Sequence, residues 1–211
     1  MAATERTTGQ RYPERVTRDR AAAYAILDEA RVAHVGFTGV GGPLVIPTLQ
    51  VRDGDRILLH GAAHGRFMEG VASGIPLCVT VTLLDGLILG RAASHHSVAY
   101  RSVMIFGSAS AVEDREQRAA ALERFVEGMV PGRFSGPYPA RRPDDVEVDN
   151  TAVVSLPIVE FSVKTRSGFA RDEHKDDGVE AWADEIPLAL TPAAPIPDAR
   201  TGTRFPPPTV L

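Results

Sequence analysis

The apolar residues of this chain recur in short runs with alternating spacing, which is typical of β-strands. The runs predict strands over 32–37, 44–51, 56–60, 77–84, 87–92, 100–112 and 151–164. Asp53-Gly54 and Asp85-Gly86 indicate two hairpins, because glycine accepts the positive φ of a tight turn. The strands follow one another through hairpins instead of alternating with helices. The pattern therefore favours a mainly β fold, an antiparallel barrel with flanking helices, over a doubly wound α/β sheet.

Helical periodicity is confined to three segments. Thr17 can cap a helix over 18–30, and residues 67–73 suggest a short helix that follows a glycine-rich turn. The segment Asp114-Arg-Glu-Gln117 matches a capping box and predicts the start of a helix that ends near Val130. These helices are too few to build the core alone, so we expect them to flank the strands.

The strand from Tyr100 to Val112 is the longest predicted strand, and both of its faces are largely apolar. We therefore expect this central strand to be buried on both sides. Pro47 interrupts an earlier strand and cannot donate a ladder hydrogen bond. An edge, a bulge or a ligand is expected beside Pro47 and Thr48.

The chain length fits one domain with additions at both ends. We predict a flexible N-terminal arm over 1–16, a single domain over 17–188 and a proline-rich tail over 189–211. The apolar content of 44% is that of a globular protein and excludes a wholly disordered chain.

Composition excludes several classes of function. The net charge is −4 and no run of Lys or Arg occurs, so no nucleic-acid partner is expected. Cys78 is the only cysteine, which excludes an intrachain disulfide and a multi-cysteine zinc site. The absence of a long apolar run and of a signal sequence predicts a cytoplasmic protein without a membrane partner.

Two stretches combine cationic, hydroxyl and glycine residues in a way that could hold an anion. One is the polar entrance to the central strand, Ser94 to Ser102, and the other is the turn from Gly61 to Arg66. A guanidinium group and free backbone N–H groups at a helix start both favour a phosphate. The alternatives are an Arg101 surface ion pair and an Arg66 side chain in solvent.

The six histidines do not show a metal-site pattern. His60 and His64 are four residues apart, but a strand end and a glycine turn separate them, so helical ligand spacing does not apply. His95 and His96 point in different directions if the chain is extended. We predict no metal site, although a single axial histidine for haem remains open.

Six segments together resemble a known family. RVAHVGF, PLVIPTLQV, ILLHGAAHGR, PLCVTVTLLDGLILGRA, HHSVAYRSVMIFGSA and VKTRSG, followed by a tryptophan and Pro-Leu, are similar to split-barrel flavin-binding proteins. The resemblance covers roughly residues 15–188. It points to the pyridoxamine 5′-phosphate oxidase-like branch that contains the nitroimidazole-resistance proteins.

The resemblance implies a six-stranded antiparallel split β-barrel flanked by helices, and a homodimer with FMN at the subunit interface. Relatives with this fold use the deazaflavin F420 or haem, so these remain alternative cofactors. By resemblance, Pro47 and Thr48 line the isoalloxazine ring, and Gly65 and Arg66 hold the phosphate. The full set of implied cofactor-binding residues is Pro47, Thr48, His60, Gly61, Ala62, Gly65, Arg66, Tyr100, Arg101, Ser102, Lys164, Arg166 and Trp182.

The implied function is an FMN-dependent oxidoreductase that reduces a small nitro- or quinone-like substrate or oxidises a small amine. The alternatives are a non-catalytic flavin or haem carrier or sensor, and an F420-dependent reductase. A flavin supplies the redox chemistry itself, so no catalytic side chain is assigned. Vitamin B6 oxidation is not favoured, because RSGFARDEHKDD lacks a recognisable pattern for the substrate phosphate.

Overall fold

The computed structural model describes residues 3–200 and 205–208. The fold is mainly β with flanking helices and belongs to the antiparallel split-barrel class, as the sequence predicted. The strands are β1 (Val16–Thr17), β2 (Val32–Gly39), β3 (Gly42–Asp53), β4 (Arg56–Ala62), β5 (Pro76–Ile88), β6 (Ser97–Ser108), β7 (Ser110–Ala111), β8 (Thr151–Pro157), β9 (Glu160–Arg166) and β10 (Glu185–Pro187). The helices are α1 (Arg20–Glu29), α2 (Arg66–Ala72), α3 (Arg115–Met129) and α4 (Asp145–Asp149). Among the described residues, none of these helices is long and apolar enough to cross a membrane.

The chain divides into two compact units. The first unit comprises Met1–Ala30, Thr80–Ile105 and Glu160–Leu190, and the second comprises Arg31–Val79, Phe106–Val159 and Thr191–Leu211. Strands β5 and β6 each begin in one unit and end in the other.

In the first unit, the hydrogen-bonded strand order is β1-β9-β6-β5, and β10 pairs with β5. Val16 lies opposite Lys164 in the β1–β9 pair. The Ser102 hydroxyl donates to the Lys164 carbonyl oxygen at 3.1 Å, and the Thr80 hydroxyl donates to the Val103 carbonyl oxygen at 3.2 Å. These side-chain bonds reinforce the backbone ladders beside the polar entrance of β6.

In the second unit, the order is β2-β3-β4-β8-β7. The β3–β4 hairpin turns at Gly54, whose φ of +59° confirms the predicted Asp53-Gly54 turn. Helix α3 packs on this sheet through a core cluster. Ala121 and Phe125 of the helix contact Leu58 of β4 and Val153 of β8 in this cluster. Ala121 and Phe125 therefore form the face of α3 that packs on the sheet.

The N-cap of α1 is two residues later than the sequence suggested. Thr17 was the predicted cap, but the Asp19 carboxylate accepts the backbone N–H groups of Ala21 and Ala22 at 3.1 and 3.3 Å. Aspartate suits this position because its charge also interacts favourably with the positive end of the helix. At α3 the predicted N-cap is confirmed, since Asp114 accepts the Gln117 N–H at 2.8 Å, but the reciprocal bond of a capping box, from the Gln117 side chain, is not formed among the described residues.

The predicted hairpin at Asp85-Gly86 is wrong, because β5 continues through it without a turn. Gly86 instead pairs with Pro187 of β10. A Cβ atom at Gly86 would lie 3.0 Å from the Ile186 carbonyl oxygen, so the missing side chain lets β10 approach closely. Glycine at this position allows close contact between β5 and β10 and is not needed for a positive φ.

The predicted strand over 151–164 is two strands. β8 ends at Pro157 and β9 begins at Glu160, and the two belong to different units. Proline cannot donate a ladder hydrogen bond, which explains the end of β8. At Pro47, by contrast, β3 continues and pairs with His34 of β2.

The central strand β6 is shorter than predicted and buried on one side within the described chain. Val103 and Ile105 are fully buried, whereas Met104 on the opposite face is 38% exposed. The strand ends at Ser108, and the two-residue β7 follows. Cys78, the single cysteine of the chain, is half-buried in β5.

The N-terminal segment contacts the sheet of the first unit. The Arg6 guanidinium forms an ion pair with Glu160, and the Thr4 hydroxyl donates to the same carboxylate. Gly9 fits directly against Val16, since a Cβ there would lie 2.7 Å from a Val16 methyl group. The polar composition of this segment gave no sign of these contacts.

Leu58→Ala should destabilise the protein by about 2–5 kcal/mol, because it leaves a cavity beneath α3 in place of a side chain that is 1% exposed. Urea unfolding followed by circular dichroism measures the change. Leu190→Ala is the matched control, since Leu190 is fully exposed and its truncation should cost less than about 0.5 kcal/mol. Equal losses in both variants would contradict the proposed core.

Candidate functional site

The turn between β4 and α2 depends on two glycines. A Cβ at Gly61 would lie 2.8 Å from Met68 Cγ, and a Cβ at Gly65 would lie 3.1 Å from the Ala62 carbonyl oxygen. The Gly65 N–H donates to that carbonyl at 2.9 Å, which closes the turn. The glycines therefore allow a compact connection from the strand to the helix.

Arg66 follows this turn as the first residue of α2. Its side chain is exposed, and it has no hydrogen-bond or ion-pair partner among the described residues. A free guanidinium group retains all its donors for a ligand and can bind a phosphate in bidentate geometry. Of the two predicted arginines, Arg66 is thus the one that is available to an anion.

Pro47 and Thr48 approach the same turn along the neighbouring strand. The β3–β4 ladder has Gln50 opposite Leu59 as its last pair on this side. Thr48 lies two residues beyond Gln50, as Gly61 lies two residues beyond Leu59. The second unit therefore brings both predicted segments to the same end of the β3–β4 pair.

His60 is half-buried on β4, where its ring centroid lies 4.3 Å from that of Phe125 in α3. Its Nδ1 atom is buried and has no hydrogen-bond partner in the described part of the chain. Burial lowers the pKa of His60, because the charged imidazolium loses its hydration. His60 is therefore a neutral imidazole near pH 7 with an unsatisfied ring nitrogen.

Arg101, in the first unit, is held by two carboxylates. Its guanidinium donates to Glu29 at 2.6 and 2.9 Å and to Asp85 at 2.8 to 3.2 Å. The hydrogen bonds that Arg101 donates to Glu29 and then to Asp85 raise the pKa of Arg101. This arrangement matches the ion-pair alternative and leaves the guanidinium little capacity for a phosphate.

The remaining predicted residues of the first unit have different surroundings. Lys164 is half-buried and its ammonium group has no partner among the residues that the structure describes. Arg166 donates to the Ser97 hydroxyl, and burial lowers the Arg166 pKa. Tyr100 is half-buried, whereas Trp182 is 61% exposed.

A cluster around His95 was not visible in the sequence. His95 Nδ1 lies 3.0 Å from Asp172 and 3.6 Å from Asp176, so three potential metal ligands meet here. Asp172 also accepts the backbone N–H and guanidinium of Arg91 at 3.0 to 3.1 Å. The cluster links two loops through the His95–Asp172 contact and the ion pair of Arg91 with Asp172. The 77-residue separation between His95 and Asp172 gave no local signal.

Comparisons with known proteins locate the chain among relatives of this fold. A sequence profile described as pyridoxamine 5'-phosphate oxidase matches residues 19–165. No curated protein sequence matches the chain. The matched segment includes the two stretches that the sequence predicted to bind an anion, Gly61 to Arg66 and Ser94 to Ser102.

Three solved structures illustrate the range of similarity. The flavocytochrome Anf3 from Azotobacter vinelandii is 36% identical, with 97% of this chain and 94% of that chain covered and a TM-score of 0.88. A FAD and haem binding protein from Mycobacterium smegmatis is 28% identical, with 92% and 94% covered and a TM-score of 0.84. A putative 5-nitroimidazole antibiotic resistance protein from Bacteroides thetaiotaomicron is 23% identical, with 71% and 85% covered and a TM-score of 0.55, and so supports the fold alone.

The profile match covers well over half of the chain, and the flavocytochrome exceeds 30% identity over almost its whole length. Both results agree with the resemblance that the six sequence segments suggested. The chain belongs to the pyridoxamine 5′-phosphate oxidase-like family.

Proposed function

We propose that this chain is a redox protein that binds a flavin and a haem. The observation that carries the proposal is the 36% identity over 97% of the chain to a flavocytochrome. The second similar structure is described as binding FAD and haem. FAD therefore replaces FMN as the favoured flavin, and haem joins it as a second cofactor instead of an alternative.

The residues of the second unit fit a flavin phosphate. The turn from Gly61 to Gly65 is compact, and Arg66 extends from it with all its donors free. Pro47 and Thr48 lie at the same end of the β3–β4 pair. The flat isoalloxazine ring would lie along the strand there. When bound, the flavin supplies the electron-transfer chemistry, and the protein binds, orients and tunes it.

The residues also fit a haem, since two histidines bracket the same turn. His60 is kept neutral by burial and has an unsatisfied ring nitrogen, which is the form of imidazole that binds iron. His64 is exposed and has no partner among the described residues, so a ligand could reach it without displacing α3. The proposed axial ligand is one of these two imidazoles.

The other predicted flavin contacts lie in the first unit. Tyr100, Ser102, Lys164, Arg166 and Trp182 remain proposed flavin contacts by family resemblance. Arg101 is better described as a positioning residue, because its ion pairs join α1 to the strands β5 and β6. A catalytic side chain is not assigned, and the reduction of small nitro- or quinone-like acceptors remains a prediction.

Arg66→Gln should weaken FMN and FAD binding about ten- to a hundred-fold, because one charge-assisted contact to phosphate contributes about 1.5–3 kcal/mol. Riboflavin lacks the phosphate, so its affinity should be unchanged. Fluorescence titration of the flavin-free protein with all three ligands measures the difference. Arg56→Gln is the control, since Arg56 is an exposed cation on β4 that pairs with Asp53.

Arg101→Gln serves as a contrasting variant in the same titration. It should lower the urea midpoint and weaken riboflavin and FMN to a similar extent, because it removes ion pairs to Glu29 and Asp85. A loss confined to FMN would mean that Arg101 exchanges its carboxylates for the phosphate. An unchanged FMN affinity in Arg66→Gln would show that the turn does not bind the flavin phosphate.

The haem ligand can be identified from the absorption spectrum of protein reconstituted with haem and flavin. Either His60→Ala or His64→Ala should abolish the haem Soret band while the flavin bands remain. His174→Ala is the control, since His174 is fully exposed and pairs with Asp177 in the first unit. Full haem occupancy in all three variants would refute an iron ligand at this turn. A wild-type protein that takes up no haem would refute haem binding.

We also propose a homodimer, as the family resemblance implies. Exposed apolar side chains on β3, Leu44 at 47% and Val45 at 67%, are candidates for the contact. An obligate interface of this kind would bury about 2,000 Å² or more in total. Light scattering at micromolar concentration should give twice the chain mass, and a monomer mass would contradict the proposal.

A further inference from the structure

A histidine and two aspartates converge in the first unit, between the β5–β6 and β9–β10 connections. His95 Nδ1 lies 3.0 Å from Asp172 Oδ1 and 3.6 Å from Asp176 Oδ2. One donor atom from each of the three side chains lies within 4.8 Å of the other two. The ligands of a tetrahedral ion with bonds of about 2.0–2.2 Å are roughly 3.4 Å apart. These donor atoms therefore have nearly the separation that a metal ion requires.

Gly90 allows the close packing of this cluster. A Cβ atom at Gly90 would lie 2.6 Å from His95 Cβ and 2.9 Å from Asp172 Oδ1. Any side chain at this position would displace two of the three potential ligands. The backbone is thus fitted to the cluster, and only 17% of the His95 side chain and 11% of the Asp172 side chain are exposed.

Asp176 is a buried carboxylate with few partners in the part of the chain that the structure describes. The residue is 7% exposed, and no described lysine or arginine pairs with it. The one hydrogen bond that its side chain accepts among these residues comes from the Glu173 backbone N–H at 3.3 Å. An ionised carboxylate that is removed from water needs a positive partner, and the His95 imidazole is charged only when it is protonated. A divalent cation between the two aspartates would supply that charge permanently.

The surroundings of the cluster supply the outer contacts that metal ligands usually have. The Arg91 backbone N–H and guanidinium donate to Asp172 at 3.0 to 3.1 Å and fix this carboxylate. A carboxylate has about four acceptor sites, so these bonds leave capacity for a metal ion. On the other side of the imidazole ring, His95 Nε2 lies 3.9 Å from Glu173 Oε1. A metal-bound histidine commonly directs its second nitrogen toward a carboxylate, so His95 is oriented to present Nδ1 to an ion.

We propose that His95, Asp172 and Asp176 bind a divalent transition-metal ion of the zinc type. An imidazole nitrogen with carboxylate oxygens suits Zn²⁺, whereas Mg²⁺ and Ca²⁺ prefer oxygen ligands alone. Three protein ligands leave the fourth position of a tetrahedral ion to water. The bound ion joins the β5–β6 connection to the β9–β10 connection, and none of its ligands is a proposed flavin or haem contact. The sequence predicted no metal site, because its spacing did not reveal this convergence.

The test uses the protein as purified, after dialysis against EDTA and then against buffer without EDTA. Isothermal titration with ZnCl₂ should show one saturable site per chain, and MgCl₂ should bind far more weakly. His95→Ala and Asp176→Asn should each weaken Zn²⁺ binding at least about tenfold, because each variant loses a ligand. Asp176→Asn keeps the size of the side chain, so its effect reports the lost charge and not altered packing. Zn²⁺ at about a hundred times its Kd should raise the Tm of the wild type by about 5–10 °C.

His174→Ala is the matched control, because His174 also contacts an aspartate of the same unit, Asp177 at 3.1 Å, but is fully exposed and lies outside the cluster. Its Zn²⁺ affinity should equal that of the wild type. The inference is overturned by the absence of saturable Zn²⁺ binding, by an equal loss in His174→Ala, or by equal affinities for Mg²⁺ and Zn²⁺. A Zn²⁺ site that is lost in His60→Ala and kept in His95→Ala would place the ion at the proposed haem turn and would also overturn it.

Discussion

Strand β4 is the element on which the second unit depends. It pairs with β3 on one side and β8 on the other, and Ile57, Leu58 and Leu59 in its centre are almost completely buried. Because both edges and both faces of these residues are covered, neither shift nor rotation of the strand is possible without loss of the core. The turn that carries the proposed flavin and haem ligands leaves directly from the end of this fixed strand. A rigid origin of this kind suits a site that must hold a cofactor in one orientation.

The cationic side chains differ in whether a carboxylate pairs with them. This difference distinguishes a structural role from a role in ligand binding. Arg101 and Arg6 have carboxylate partners, so their charge is used to connect segments that are distant in sequence. Arg66 and Lys164 have no partners among the described residues, and each remains available to an anion. The difference lies in which carboxylates the tertiary structure brings within reach.

Burial has a comparable effect on the histidines. His60 lies under α3 beside Phe125, so its imidazole is neutral and one nitrogen lacks a partner. His95 lies between Asp172 and Asp176, with its Nδ1 atom 3.0 Å from Asp172 and 3.6 Å from Asp176. The same residue type thus serves as a candidate iron ligand in one place and as a candidate zinc ligand in another. The surroundings and not the sequence spacing decide between these uses.

The sequence alone determined the fold class, the family, the strand-to-helix turn at residues 61–66 and the caps and turns with local signals, such as Asp114 and Gly54. These features depend on alternation, backbone conformation and interactions over a few residues, which a single sequence records directly. Only the tertiary structure showed that β5 passes straight through Asp85-Gly86, that Arg101 is paired, and that a histidine and two aspartates of the first unit converge. Each of these depends on partners tens of residues away, and local propensity carries no information about such contacts. For the same reason the sequence identified the residues that could bind an anion, whereas the fold decided which of them are free to do so.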